Sequence, residues 1–386
     1  MRIAHFVHYY TPAIGGGVRF IAETGARLEA RGHTVTVFTS NALNDDGFMS
    51  LRKGPSSRFR GPSRERIRHV TVRRYRPLVL PLLQRWVPFL QHGPIMPKLL
   101  VEFEPSSFDL VHSSAFPYAH NFISYYLSRR AKLPLYLTPY YKPGQPSSRT
   151  LQKILRRADR ISASVPWERS ALVREFRIDA TRVDIVPSGV DPERFGPRNY
   201  MPASSCKTIL FVGRLTPAKG VGHLLTAYNR YLYPEYPDLR LLVVGYLSDW
   251  ARRNLLPAAR GNTIFLGPIC NETELARIYA ESDVVCYPSR DDCFPHVFLE
   301  AWATSKPVIG CRIGGVADVI QEGKNGLFSA FGDPKDLSEK IAYLLDNPTE
   351  ASRMGRRGRK KVLDTYVWDK VTDRLEESYR STINKH

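Results

Sequence analysis

The hydrophobic pattern of the first forty positions changes period twice. Ile3–His8 is a short apolar run, and Thr34–Thr39 alternates threonine with valine and phenylalanine, so both read as strands. Between them Phe20, Ile21, Ala26 and Leu28 fall on a helical pattern over Val18–Arg31, and Gly32 stops that helix. Strand, helix, strand is a βαβ unit, which implies a parallel sheet with helices on its faces. Further strands are expected at Ile67–Tyr75, Leu110–Ser113, Leu135–Tyr140, Arg160–Ala163 and Val183–Val186. The pattern breaks over Asp191–Lys207, where Pro192, Pro197, Pro202, Ser204 and Ser205 mark a linker. A second alternating series follows: strand Thr208–Val212, helix Val221–Tyr233, strands Arg240–Val244 and Thr263–Leu266, helix Glu272–Ala280, strand Val284–Tyr287, helix Pro295–Thr304 and strand Pro307–Gly310.

The pattern predicts an α/β protein with two Rossmann-like, doubly wound domains facing a cleft. The expected limits are 1–195 for an N-terminal domain, 196–206 for the linker and 207–365 for a C-terminal domain. A closing helix over 366–386 can cross back to the first domain. Ligands of such sheets lie beyond the carboxyl ends of the strands.

Composition narrows the picture. Of 386 residues, 43% are hydrophobic and 24% charged, the balance of a soluble globular chain with apolar material for two cores. The chain opens directly on a strand, with no small-residue cleavage site after an apolar stretch, so no signal peptide is expected. Cys206, Cys270, Cys286, Cys293 and Cys311 form no C-x-x-C pair, as suits reduced thiols in the cytoplasm.

The net charge of +19 asks for an anionic partner: a polyphosphate ligand, a membrane surface or nucleic acid. The span Arg52–Lys98 holds Arg58, Arg60, Arg64, Arg66, Arg68, Arg73, Arg74 and Arg76 against one acid, Glu65. Leu78, Leu80, Leu82, Leu83, Trp86 and Phe89 follow, broken by Pro81 and Pro88, which makes a poor membrane span. Two readings of Arg52–Leu100 stand level: an interfacial segment on an anionic leaflet, or a basic loop beside a buried helix. The first places the protein in the cytoplasm, peripheral on the inner face of the membrane. Nucleic acid is a poor fit, because the arginine cluster carries no RNA-binding motif and lies far from the glycine loops.

Three βα loops of the second half carry candidate chemistry. In Gly213-Arg214-Leu215-Thr216-Pro217-Ala218-Lys219-Gly220 the glycines permit tight turns. Arg214 offers a fork and Lys219 a point charge to phosphate oxygens at a strand's carboxyl end. Read alone, they are two surface cations. In Pro288–Ala301, Asp292 sits in a loop and Glu300 among apolar residues of a helix. An acid in that setting is costly unless it binds something, such as the hydroxyls of a ribose or a buried cation. Gly314 and Gly315 then open a helix, where free N–H groups and the helix dipole favour an anion.

In order and spacing these motifs resemble family 4 of the retaining glycosyltransferases with the GT-B fold, over most of the chain. The resemblance rests on Gly15, Gly16 and Gly17; on Gly189-Val190-Asp191; on Arg214 with Lys219-Gly220; and on two acids seven residues apart, Asp292 and Glu300. It implies that Arg214 and Lys219 neutralise a leaving nucleoside diphosphate. Glu300 would hold the ribose hydroxyls and Asp292 the donor sugar, and the glycine loop would close over the diphosphate. Gly213, Phe294, Pro295, His296, Gly314 and Gly315 complete the implied donor site. The implied partners are a nucleotide-sugar donor, with uracil the usual base, and a glycan or lipid-linked acceptor, as in polysaccharide or glycolipid assembly. No metal or other cofactor is expected, because protein cations take the role of a divalent ion.

Departures from the family pattern are specific. Asp292 replaces the usual Glu, with Asp291 beside it as a substitute. Cys293-Phe294-Pro295 replaces Gly-Phe-Gly, and Pro295 lacks an N–H. In the first domain a His-x-His is common; here His112-Ser113-Ser114 puts Ser114 at the second position. His120 could take over, although a helix-surface histidine is the plainer expectation. Tyr140-Tyr141 stands where another His is common. A sugar-nucleotide epimerase and a donor-binding protein without transfer remain as alternatives. A nicotinamide dehydrogenase is disfavoured, since no complete G-x-G-x-x-G follows a strand.

Overall fold

A computed structural model describes residues 1–44, 46–49, 57–79, 93–144, 148–197, 206–290 and 292–386. They form two compact units, Met1–Ser188 with Trp368–His386, and Gly189–Val367. The expected linker falls at 196–206, of which 198–205 lie outside the described residues. The units part earlier, between Ser188 and Gly189. The reason is local: Val190 bridges Val367 and its N–H bonds the Tyr366 carbonyl, while the Phe195 ring packs on Tyr279.

The first unit is built on an eight-stranded sheet: β1 (Arg2–Val7), β2 (Thr34–Ser40), β3 (Arg64–Ile67), β4 (Val70–Tyr75), β5 (Leu110–Ser114), β6 (Leu135–Thr138), β7 (Arg160–Ala163) and β8 (Val183–Ile185). Their order is β3-β4-β2-β1-β5-β6-β7-β8, parallel except for the β3–β4 edge pair. Successive residues of β1 supply both faces: Ile3 and Val7 join one core, Ala4 and Phe6 the other. Burial on both faces explains why these strands read as apolar runs. From β1 the chain winds to one side through β2 and returns on the other at β5. The strand order therefore reverses between β1 and β5, and the crevice of such a sheet opens there.

The expected single strand Ile67–Tyr75 is instead a hairpin, because Arg68 and His69 adopt positive φ (50° and 73°) and reverse the chain. The expected strand to Tyr140 ends at Thr138, and Tyr140 turns left-handed at φ 51°. Of the basic, apolar segment Arg52–Leu100, residues 52–56 and 80–92 lie outside the described residues. Among the described residues no helix is long and apolar enough to cross a membrane.

The C-terminal helix Trp368–Asn384 packs on helix Gly16–Ala30 of the first unit. Trp368, Val371, Leu375 and Tyr379 share a core with Phe20, Ile21 and Leu28. Burial of Val371 and Leu375 contributes roughly 1.5–3 kcal/mol each. Arg27 meets Asp369 at 3.0 Å and Arg31 meets Asp373 at 2.8 Å along the rim.

The second unit has six parallel strands: β9 (Thr208–Val212), β10 (Arg240–Val244), β11 (Asn262–Gly267), β12 (Val284–Tyr287), β13 (Val308–Cys311) and β14 (Gly326–Ser329), in the order β11-β10-β9-β12-β13-β14. Strand β14 goes beyond the strands that the hydrophobic pattern predicts. The expected helix Val221–Tyr233 is α-helical only to Ala227 and widens into a π-type turn over Tyr228–Leu232. Order reverses here between β9 and β12. Their carboxyl ends, Val212 and Tyr287, launch the two loops that carry Arg214, Lys219 and Asp292.

Candidate active site

In the second unit those two loops meet. After β9 the chain turns through Gly213, makes one tight turn over Pro217–Lys219 and leaves through Gly220 at φ +72°. A Cβ on Gly220 would sit 2.0 Å from the Pro288 carbonyl oxygen, so only glycine lets the loops pass so closely. The Arg290 N–H bonds the Ala218 carbonyl at 3.0 Å and ties the loops together.

The result is a charged knot. Lys219, buried, donates from Nζ to Asp292 Oδ2 at 2.5 Å. The Tyr287 hydroxyl donates to the same oxygen at 2.6 Å, and the Ser289 hydroxyl at 3.3 Å. The Lys219 ammonium also stands 5.5 Å from the centre of the Tyr287 ring. Burial, reinforced by the Asp292 charge, pushes the Tyr287 phenol well above its ordinary pKa, so it remains a donor. Arg214 is exposed, close enough for its charge to act on that phenol, and among the described residues it has no ion pair. On helix His296–Ala303, Glu300 is buried and accepts a hydrogen bond from the Tyr279 hydroxyl at 2.8 Å.

The flanking candidates are close by in this unit. Pro295 precedes the first helical residue, His296, and Phe294 is buried against His296 and Tyr366. The Gly315 N–H reaches the Asp292 carbonyl at 3.3 Å, and Gly314 adopts φ +57°. The helix these glycines open is a single turn, Val316–Val319. Asp291 lies outside the described residues.

In the first unit, Gly16 and Gly17 open helix Gly16–Ala30, with Gly15 extended before it. A Cβ on Gly17 would stand 3.2 Å from the Tyr140 ring. The carboxyl ends of β1 and β5 gather histidines. Ser114 Oγ lies 2.7 Å from His5 Nε2 and 3.2 Å from His112 Nε2. His112 stacks on His5 at 3.9 Å and reaches Tyr379 of the C-terminal helix (2.5 Å) and Thr138 (2.8 Å). Both His112 and Ser114 are wholly buried.

His120 departs from the surface position expected of it: it is fully buried at the start of helix His120–Ala131. Its Nε2 lies 2.8 Å from the Ser114 carbonyl. A carbonyl only accepts, so Nε2 carries the proton and Nδ1 is left as a bare acceptor. Among the described residues, that Nδ1 and the Nδ1 of His8 are buried without a hydrogen-bond partner. His8 stacks on Tyr118 at 4.0 Å beside His120. Burial holds His120 down at about 4 and His5 at about 3, and pushes His8 and His112 well below the usual range. Nearby, burial lifts Glu168 to about 7, while it accepts the N–H groups of Tyr141 (2.6 Å) and Ser164 (2.7 Å). Among the described residues no group of three or more His, Cys, Asp or Glu side chains converges on a point.

Pattern reasoning missed Tyr287, Ser289, Tyr279, His5 and His8. His5 and His8 lie within the apolar run Ile3–His8 and Tyr287 ends the run Val284–Tyr287, so the pattern marks them only as strand residues. Only the strand ends on which Tyr287 and His8 fall hinted otherwise.

Two Rossmann-like parallel-sheet units, the second with cations and acids at its switch point, are the parts of a GT-B glycosyltransferase. The chain belongs to the group 1 glycosyl transferases: the family models described as Glycosyltransferase Family 4 and Glycosyl transferases group 1 match residues 14–194 and 200–361. A D-inositol 3-phosphate glycosyltransferase of Geodermatophilus obscurus is 28% identical, covering 96% of this chain and 86% of its own. One of Segniliparus rotundus is also 28% identical, over 60% of this chain; the match spans about half, 54%, of that relative's length. Among solved structures, HepE of Anabaena in complex with UDP-glucose superimposes with a TM-score of 0.75 at 16% identity, over 99% of this chain and 100% of its own.

Proposed function

We propose that this chain is a retaining, metal-independent hexosyltransferase that uses a nucleotide-sugar, with a UDP-sugar favoured, and a glycan or lipid-linked acceptor. The observation that carries the reading is the knot of Lys219, Asp292 and Tyr287 beside exposed Arg214 at the switch point of the second sheet. Two cations there suit a diphosphate. Glu300, which accepts from Tyr279, suits the ribose hydroxyls. Oδ2 of Asp292 has three donors, while Oδ1 has none among the described residues and suits a sugar hydroxyl. The UDP-glucose complex of HepE and the glycosyltransferase names of the relatives agree with this assignment.

In this mechanism the bond from the anomeric carbon to the diphosphate oxygen breaks and the bond to the acceptor oxygen forms on the same face. The acceptor's proton passes to the departing diphosphate oxygen. Arg214 and Lys219 stabilise the charge that develops on it, and no enzymic nucleophile is needed. In the first unit, the Nδ1 atoms of His8 and His120, without partners among the described residues, suit the hydroxyls of a ligand better than His112 and Ser114, which are already bonded within the core.

We place the protein in the cytoplasm, peripheral on an anionic leaflet. Val101, 87% exposed, and Leu100 stand beside Lys98 on helix Pro97–Glu102 and support that placement. Purified protein that ignores anionic liposomes at low salt would remove it.

The test of the donor site is thermal stabilisation by UDP-, GDP- and ADP-sugars, on wild type and on Glu300→Ala. A ligand at a hundred times its dissociation constant adds about 2.7 kcal/mol, a visible shift. One base should stabilise, and the substitution should weaken it. Release of nucleoside diphosphate is then followed with lipid-linked glycans and with D-inositol 3-phosphate as acceptors. No shift with any nucleotide-sugar, in a protein that melts cooperatively, defeats the proposal. Stabilisation without acceptor-dependent release would leave a donor-binding protein.

A further inference from the structure

We propose that Tyr287 is a positioning residue: its hydroxyl anchors the Asp292 carboxylate so that Lys219 can turn to a ligand's diphosphate without drawing Asp292 after it. The inference rests on the nucleotide-sugar reading above, and it concerns a residue that the hydrophobic pattern marks only as the end of a strand.

The case begins with competition for one ammonium. Lys219 is 4% exposed and bonds Asp292 Oδ2 at 2.5 Å. A diphosphate carries more negative charge than one carboxylate and presents more acceptor oxygens, so it takes the ammonium when it arrives. If Lys219 were the only clamp, Asp292 would either follow the ammonium or be left mostly buried with its charge unmatched. Neither outcome holds its free Oδ1 in a fixed place for a sugar.

Tyr287 resolves the conflict by geometry. Its hydroxyl is 2.6 Å from Oδ2, on the oxygen Lys219 already uses, and Ser289 adds a longer bond at 3.3 Å. The ring is fixed at the carboxyl end of β12. Phe211 and Phe298 lie 5.7 and 6.0 Å away, centre to centre. The backbone of Gly213 closes the remaining side, where a Cβ would stand 2.9 Å from the ring. Gly213 is therefore small in order to seat Tyr287, in addition to turning the chain. The anchor is a ring packed on three sides, whereas a lysine stem has four rotatable bonds, which is the division of labour the proposal needs.

The test compares Tyr287→Phe with wild type for binding of the nucleotide-sugar and of the free nucleoside diphosphate, by calorimetry. Losing one charge-assisted hydrogen bond should lower nucleotide-sugar affinity roughly tenfold, while the free diphosphate changes by less than about twofold. On an Asp292→Ala background the same substitution should change neither. An equal loss for both ligands would mean that Tyr287 only packs the loops, and would overturn the proposal. A second measurement needs no ligand: a thermodynamic cycle of Tyr287→Phe and Asp292→Asn in denaturant unfolding. Clear coupling supports the anchor, and coupling of zero overturns it. Wild type that binds neither ligand, with the coupling intact, would defeat the nucleotide-sugar reading and leave the Tyr287–Asp292 anchor standing.

Discussion

The two sheets carry opposite chemistry at their switch points. In Gly189–Val367 the crevice holds charge: exposed Arg214, and buried Lys219 2.5 Å from the carboxylate of Asp292. In Met1–Ser188 the corresponding crevice holds His5, His8, His112 and His120, all buried and all kept neutral by burial. A charged crevice can answer a polyanion. A neutral, hydrogen-bonded one can only exchange hydroxyl and amide partners. One architecture thus presents two kinds of surface, and the difference comes from a few side chains at strand ends.

The largest expected effect tests the charged side. Lys219→Ala should lower transfer on the order of a hundredfold, because it removes a cation that the proposed mechanism sets against the leaving diphosphate. Initial rates at saturating donor measure it. A loss below threefold would mean that this crevice does not work by charge.

Next comes the neutral side. His112→Ala removes partners of Tyr379 and Thr138 and leaves a void under the His5 ring. Stability should fall by about 2–4 kcal/mol, read from the denaturant midpoint. Unchanged stability with lost activity would instead make His112 a ligand contact and blur the contrast.

The smallest effect is that of pH. A buried histidine whose folded pKa lies below its unfolded value near 6.5 gives stability that is present above 6.5. That stability is lost as pH falls toward the folded value, about 4 for His120 and about 3 for His5. Glu168 acts oppositely: raised to about 7, its contribution is full below about 4.5 and is lost as pH rises through 7. Four histidines oppose one glutamate, so the melting temperature should fall between pH 7 and pH 5. A flat calorimetric profile over that window would show that the imidazoles are not sealed from water.

Much of this was legible in the chain. Apolar runs of four to six residues between glycines and prolines located most strands, since a parallel sheet buried on both faces demands them. The β3–β4 hairpin was not, because the left-handed turn falls on Arg68 and His69, with no glycine or asparagine to signal it. Arg214, Lys219, Asp292 and Glu300 stood out because charge beside glycine, or within an apolar helix, is costly without a purpose. Tyr287 and His8 did not, since an aromatic at the end of a strand looks the same whether it fills a core or aims a polar atom.

The sequence by itself determined two α/β halves, their cations and acids, and membership of a glycosyltransferase family, because periodicity and residue type are local properties. The tertiary structure decided the partnerships: Lys219 with Asp292, Tyr279 with Glu300, Tyr379 with His112, and the return of Trp368–Asn384 to the first unit. Each joins residues remote in sequence through distances of a few ångströms. Which of the available partners a buried polar atom takes depends on where the backbone has already placed it.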